Sequence, residues 1–244
     1  MEFINNIIIA IDEAGRGQEM YLRLNTVFLY TALLLGFLNG MKMKAGVFTS
    51  LVTVLAETYL TGPICSAIIY MEDGFRVSGR SNAVYAFAFI PLIGFLVAKI
   101  LRKSYKQIWD IIMVIPLAMF AGARIACTVA GCCRGYPFSW GVYNPVVGEI
   151  LFPIQLLESL ISVLILIYVF WREKKNNFVP DGRNVPIILI GYGIARFFME
   201  FLHIESEVFG FTWMQVHCIF MLTVGMITLR IIRRSESKIN CNPA

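Results

Sequence analysis

Ile108-Trp109-Asp110-Ile111-Ile112-Met113-Val114-Ile115-Pro116-Leu117-Ala118-Met119-Phe120-Ala121-Gly122-Ala123-Arg124-Ile125-Ala126-Cys127-Thr128-Val129-Ala130 is an apolar run with an arginine set near one end. About 20 apolar residues cross the core of a bilayer, so this stretch is long enough to span one. Six more stretches qualify on the same ground: Leu22–Asn39, Val47–Ile69, Ala83–Leu101, Phe152–Trp171, Val185–Leu202 and Trp213–Ile232. The sequence therefore predicts an all-α, polytopic membrane protein of seven transmembrane helices. No internal repeat, low-complexity tract or linker divides it, so residues 1–244 are expected to form one membrane domain. Residues 1–21 are mixed in character. Ile7 to Ile11 is too short to span, and no small-residue cleavage site follows it. This segment is expected to lie on the membrane as an amphipathic interfacial stretch.

Composition supports that reading. The chain has 244 residues, of which 58% are hydrophobic and 15% charged, and its mean hydropathy is +0.70. Soluble domains run nearer 45–50% apolar and about 25% charged. Disorder, coiled coil and collagen are excluded. The net charge of +5 reads as loop charge that sets orientation, not as a nucleic-acid footprint. Six cysteines over this length make no disulfide scaffold.

Loop charge predicts the orientation. Lys42, Lys44, Lys99, Arg102, Lys103, Lys106, Arg172, Lys174, Lys175, Arg183, Arg230, Arg233, Arg234 and Lys238 all fall on one side of the seven spans. The other side carries only Arg16, Arg23, Arg76, Arg80 and Arg134. The positive-inside rule then places the N-terminus outside and the C-terminus in the cytoplasm.

A charge within a span costs at least about 2.5 kcal/mol on insertion scales, so each one needs a reason. Arg124, Glu158 and Arg196 each stand six residues inside the outer end of a span. At 1.5 Å per residue, all three lie about 9 Å below the outer surface. Three helices thus bring two cations and one anion to one depth, a layer suited to an anionic lipid headgroup entering sideways. The guanidinium fork also matches phosphate oxygens. A structural ion-pair cluster is the plainer alternative, and Arg196 and Glu200, four residues apart, are spaced to pair with each other. Tyr192, Arg196 and Glu200 share one face of span six, among the small residues Gly191, Gly193 and Ala195 that permit close helix packing.

After span four comes Gly131-Cys132-Cys133-Arg134-Gly135-Tyr136-Pro137, a glycine- and proline-punctuated turn with exposed amides. Those amides with Arg134 suit a phosphate. The cysteines fit no standard zinc spacing, and neither His203 nor His217 lies at ligand distance in sequence. No metal and no cofactor are expected. Cys132 and Cys133 are expected to be a packed reduced pair, with Cys127 a packing residue. His217 is expected to be a packed, hydrogen-bonded histidine. No GxSxG nucleophile motif is present.

Three blocks carry a family resemblance. They are Gly122-Ala123-Arg124-Ile125-Ala126-Cys127-Thr128-Val129-Ala130-Gly131-Cys132-Cys133-Arg134-Gly135, Pro153-Ile154-Gln155-Leu156-Leu157-Glu158-Ser159, and Tyr192-Gly193-Ile194-Ala195-Arg196-Phe197-Phe198-Met199-Glu200-Phe201. In order and spacing, from about Ile108 to the end, they resemble the prolipoprotein diacylglyceryl transferases. That resemblance implies a bacterial inner-membrane transferase. It would move the diacylglyceryl group of phosphatidylglycerol to the lipobox cysteine of a prolipoprotein signal peptide and release glycerol phosphate. The partners implied are that lipid, that peptide and the bilayer, with no nucleic acid. Arg124 and Arg196 match the family's phosphate-handling arginines and would be catalytic. Gly131, Arg134, Gly135, Gln155, Glu158, Tyr192 and Glu200 would bind and orient the lipid.

The chain departs from the family pattern at several points. Ser78-Gly79-Arg80-Ser81-Asn82-Ala83-Val84-Tyr85 stands where the family usually has a His-Gly-Gly element. Cys127 and Ala130 stand at the usual asparagines, Cys132 at the usual acidic residue, Gly62-Pro63-Ile64 at a Gly-Ala-Arg, and Phe152 at a common histidine. Two other functions share the same lipid site: a paralogue acting on an anionic phospholipid with a different acceptor, and a non-catalytic lipid-binding or transport protein. Nearby arginines can lower a thiol from its usual pKa near 8.5, so a missing histidine does not by itself end the chemistry.

The charge split generates the first prediction. Lys174 and Lys175 should be cytoplasmic and Tyr136 extracytoplasmic. Single-cysteine accessibility labelling of whole cells checks this, and a cytoplasmic position 136 would overturn the orientation.

Overall fold

Lipid tails offer no hydrogen-bond partners, so each span must close its own backbone as a helix. The computed structural model describes residues 1–72, 83–133, 135–203 and 212–241. It contains seven helical segments long and apolar enough to cross a membrane. The chain is therefore a multi-pass, all-α membrane protein. A short helix, α1 (Glu2–Glu13), leads into α2 (Gly17–Lys42) and α3 (Val47–Glu72). The third span opens as a 3₁₀ turn at Ala83–Phe89 and continues as α4 (Ile90–Leu101). The fourth is two helices, α5 (Tyr105–Ile112) and α6 (Val114–Ala130). Then come α7 (Ile154–Lys175), α8 (Asn184–Met199) and α9 (Trp213–Cys241).

Every expected span has its helix, and the differences have local causes. Pro91 lacks an amide hydrogen and sits at the first turn of α4, the position proline tolerates. Pro116 likewise falls in the first turn of α6, just past the break at Met113. Helix α2 begins at Gly17, within the residues 1–21 expected to precede the first span. Between α6 and α7 the chain forms a two-stranded antiparallel hairpin, β1 (Pro137–Asn144) and β2 (Glu149–Leu151). Helix α1 docks on it. The Tyr143 amide donates to Asn5 Oδ1 at 2.9 Å, and Asn5 Nδ2 donates to the Gly141 carbonyl at 3.4 Å.

Helix α6 lies at the centre, buried along most of its length. Glycines let α2 approach it. A Cβ on Gly122 would meet the Phe28 ring at 2.1 Å, and one on Gly36 would meet Ile115 Cγ1 at 2.3 Å. Helix α7 is tied to α6 by Ser159, whose hydroxyl donates to the Ala121 carbonyl at 2.7 Å. On the outside of α7, Leu160, Leu164 and Ile167 are exposed, as expected of residues that face lipid.

At the end of the bundle away from the hairpin, buried polar groups hold the spans together. The Asp110 carboxylate accepts from the amides of Asp181 (2.9 Å), Gly182 (2.7 Å) and Asn184 (3.0 Å). Asn184 Nδ2 donates to the Asp110 carbonyl at 2.9 Å and to Glu173 Oε1 at 2.5 Å. Asn39 Nδ2 reaches the same Glu173 oxygen at 3.1 Å. Arg172 joins through Asp181 and Asn184 Oδ1, at 2.5 and 2.6 Å. Four spans thus share one network.

The α2–α6 contact generates a stability prediction. Gly122→Val should cost about 1–3 kcal/mol by overpacking against Phe28. Gly62→Ala, where nothing lies within 4 Å, should be neutral or gain up to about 1 kcal/mol of helix propensity. Thermal or detergent unfolding of the purified protein compares them, and equal stability would contradict the close-packing account.

Candidate active site

Glu158 sits one turn into α7 with no exposed side-chain surface. Its two oxygens serve two arginines from two other helices. Arg124 Nε of α6 lies 2.5 Å from Glu158 Oε2, and Arg196 Nε of α8 lies 3.0 Å from Oε1. Arg196 also pairs through Nη1 with Glu200, four residues on. Glu200 in turn accepts from the Thr212 hydroxyl at 2.9 Å. The common depth inferred from the spans is thus realised as contact. So is the Arg196–Glu200 pairing.

The carboxylate grips each guanidinium by Nε. Arginine carries five donors, so the terminal nitrogens meet second groups, Nη1 of Arg196 meeting Glu200. On Arg124, Nη1 donates to Cys133 Sγ at 3.2 Å, and the guanidinium carbon lies 4.3 Å from the centre of the Phe120 ring. Tyr192 is fully buried and packs on Phe87 and Phe120, with ring centres 5.4 and 5.3 Å away. Its hydroxyl has no hydrogen-bond partner among the described residues. An unpartnered buried hydroxyl is costly, and it sits beside the ion pairs.

The loop after α6 closes over this cluster. Gly131 caps the helix in the left-handed region at φ +64°, and a Cβ there would meet Asn144 Oδ1 at 2.6 Å. Gly135 has to be small for another reason, since its Cβ would lie 2.5 Å from the Phe152 carbonyl oxygen. Asn144 Nδ2 donates to the Gly131 carbonyl at 3.1 Å, and Gln155 Nε2 donates to the Cys133 carbonyl at 2.5 Å. Gln155 therefore positions the loop. Arg134 and residues 78–82 of the departure from His-Gly-Gly lie outside the described residues.

Two groups at the site carried no role in the sequence reading. His203 Nε2 lies 3.5 Å from Glu158 Oε1. Helix α8 ends at Met199, a 3₁₀ turn follows over Glu200–Leu202, and His203 is extended, so helical spacing from Arg196 did not signal this contact. Its backbone bridges to Gly135 across the loop. The other is the sulfur cluster. Cys127, Cys132 and Cys133 have sulfur atoms all within 4.8 Å of one another. Hydrogen bonds from Cys127 and Cys132, together with the Arg124 charge, hold the Cys133 thiol well below its ordinary pKa despite burial. The same contacts push Cys132 up. His217 is elsewhere. It bonds the Val84 carbonyl at 3.1 Å and packs edge-on against Tyr85, as expected of a packing histidine.

A family model described as prolipoprotein diacylglyceryl transferase matches residues 51–231, a span that holds the whole ion-pair cluster. The chain belongs to the prolipoprotein diacylglyceryl transferase family. Among curated relatives, it is 28% identical over 200 residues to phosphatidylglycerol–prolipoprotein diacylglyceryl transferase 2 of Clostridium perfringens, covering 71% of this chain and 75% of that one. It is 32% identical over 171 residues to the phosphatidylglycerol–prolipoprotein diacylglyceryl transferase of Campylobacter hominis, covering 62% and 58%. The protein of that name from Idiomarina loihiensis is 31% identical over 149 residues, covering 59% and 55%. The chain thus spans little more than half the length of the last two.

The cluster geometry orders the effects of substitution. Glu158→Ala strands two buried arginines, and breaking a buried pair costs about 3–5 kcal/mol. Arg124→Ala should cost less, because Glu158 keeps Arg196 and His203. Unfolding midpoints of the two variants test this ranking, and an equal or reversed order would remove Glu158 from the centre of the cluster.

Proposed function

We propose that this protein transfers the diacylglyceryl group of phosphatidylglycerol to the cysteine thiol of a prolipoprotein lipobox. The setting is the bacterial cytoplasmic membrane, with the hairpin end of the bundle facing outward. The observation that carries the reading is the convergence of Arg124 and Arg196 on Glu158 inside an apolar bundle, beside the unpartnered hydroxyl of Tyr192. Family membership and the names of the relatives support it.

The chemistry is a displacement. The acceptor thiolate attacks the terminal glyceryl carbon next to the phosphate. A sulfur–carbon bond forms, the carbon–oxygen bond to phosphate breaks, and the electron pair leaves on the glycerol phosphate. The Nη2 nitrogens of Arg124 and Arg196, beyond the Nη1 atoms that meet Cys133 and Glu200, would face that charge as it develops. In an apolar, low-dielectric surrounding such fixed donors act more strongly than in bulk water and need no reorganisation. Glu158 fixes the angle of both forks. Tyr192 offers a donor to a headgroup oxygen. Gly131 and Gly135 let the loop lie close, and Gln155 and Asn144 hold its carbonyls so that its amides point away from them. Glu200 holds Arg196, and Arg134 is proposed as a further cation over the headgroup.

The test uses labelled phosphatidylglycerol and a lipobox peptide with the purified protein in lipid. Label should appear on the peptide cysteine. Lipid consumed without cysteine labelling would instead favour a different acceptor, and binding without turnover a transport role. Arg124→Lys keeps the charge and loses the fork, so each lost charge-assisted bond, about 1.5–3 kcal/mol, should slow transfer roughly ten- to a hundredfold at normal protein level. A folded Arg124→Lys protein with full turnover would remove Arg124 from the site.

A further inference from the structure

The sulfur cluster has a geometry that neither arginine requires. Cys127 lies in the last turn of α6, and Cys132 and Cys133 follow the left-handed cap at Gly131. That reversal folds the loop back over the helix end and brings the three sulfurs within 4.8 Å of one another. The Cys132 and Cys133 sulfurs are 3.8 Å apart. Zinc binds thiolate at about 2.3 Å, which puts the edge of a tetrahedral site at about 3.8 Å. Among the described residues no fourth histidine, cysteine or carboxylate joins the group. Three protein ligands with one position open is the arrangement of catalytic rather than structural zinc. Cys132 is exposed, so an outside ligand can reach the group.

The surroundings are also those of a metal site. Arg124 Nη1 donates to Cys133 Sγ at 3.2 Å and would offset the net negative charge of three thiolates on a dication. Gln155 and Asn144 both hold the Cys133 carbonyl, at 2.5 and 3.4 Å, which fixes the ligand from outside as metal sites require. We propose that Cys127, Cys132 and Cys133 form a three-thiolate site for a zinc-class cation whose fourth position takes the acceptor cysteine. The role of that fourth position rests on the transferase reading. The acceptor thiol binds there and gives its proton to water. Its metal-bound sulfur then attacks the glyceryl carbon as the carbon–oxygen bond breaks toward the arginines. The thioether product is a poorer ligand and leaves. No oxidant or reductant is consumed.

The experiment is cobalt substitution of the full-length protein, reduced and purified in lipid. About one Co²⁺ per chain should bind, with the near-ultraviolet sulfur-to-cobalt absorption of a thiolate site. Cys127→Ser and Cys132→Ser should each weaken binding by more than the roughly 10- to 100-fold that loss of an outer-shell partner costs. Cys65→Ser should leave it unchanged. A lipobox peptide should intensify the sulfur band, and the same peptide with serine for cysteine should not. Absence of cobalt uptake, a disulfide in place of two free thiols, or a spectrum indifferent to the cysteine peptide overturns the proposal. Full transfer activity from rigorously metal-free protein overturns it while leaving the transferase reading intact. Metal and peptide binding without any lipid transfer would do the reverse, sustaining the site and removing the reaction.

Discussion

One buried carboxylate organises the site end of this protein. Glu158 has no access to solvent, and in a low-dielectric interior an unpaired carboxylate or guanidinium is costly. Arg124, Arg196 and His203 therefore have to come to it, or it to them. Since the three partners sit on α6, on α8 and just beyond α8, satisfying Glu158 sets the rotation of three helices at once. The rest of the site follows from that requirement. Arg124 is aimed at the loop, Tyr192 is trapped between Phe87 and Phe120, and Glu200 completes the second arginine. Such a cluster is weak as a source of stability, because desolvation offsets much of its attraction. What it fixes is the orientation of both guanidinium groups relative to the loop and Tyr192.

How much of this the sequence disclosed depended on the range of the interactions. The seven spans were legible because each is a local property, twenty or so apolar residues in a row. The shared depth of Arg124, Glu158 and Arg196 was legible because a helix rises by a constant amount per residue. Their contact was not, because depth says nothing about which faces turn toward one another. The breaks at Pro91 and Pro116 followed from proline itself, yet the spans read as continuous because hydropathy does not register a change of helix type. The hairpin escaped notice because its strands are short and lie against α1 through Asn5, a partner more than 130 residues away in sequence. His203 was given no partner, because its contact with Glu158 depends on the 3₁₀ turn at Glu200–Leu202 and the extended residue after it, which helical spacing does not encode.

The three cysteines show the limit of spacing rules most clearly. Zinc motifs are recognised by two ligands flanking a tight turn, repeated. Here one ligand is on a helix and two are on the loop that leaves it, and a single positive-φ glycine brings them together. Linear spacing counted against a metal, while the geometry of the Gly131 cap gathers the sulfurs regardless. Two of the three, Cys127 and Cys132, are also among the positions at which the sequence departs from the pattern of the family it resembles.

The polar lock around Asp110 and Asn184 has a mechanical consequence. Both a two-chain lipid and a signal helix reach a buried cluster only through gaps between spans. Asp110, Glu173, Asn39 and Asn184 rivet those spans together at the end remote from Glu158. Riveted there, the helices can splay only at the other end, like the arms of tongs about their pivot. A small angular change at the rivet becomes a displacement of ångströms some twenty ångströms along α6, at about 1.5 Å of leverage per residue. Any opening of the bundle is thereby confined to the end that holds Glu158 and the loop after α6.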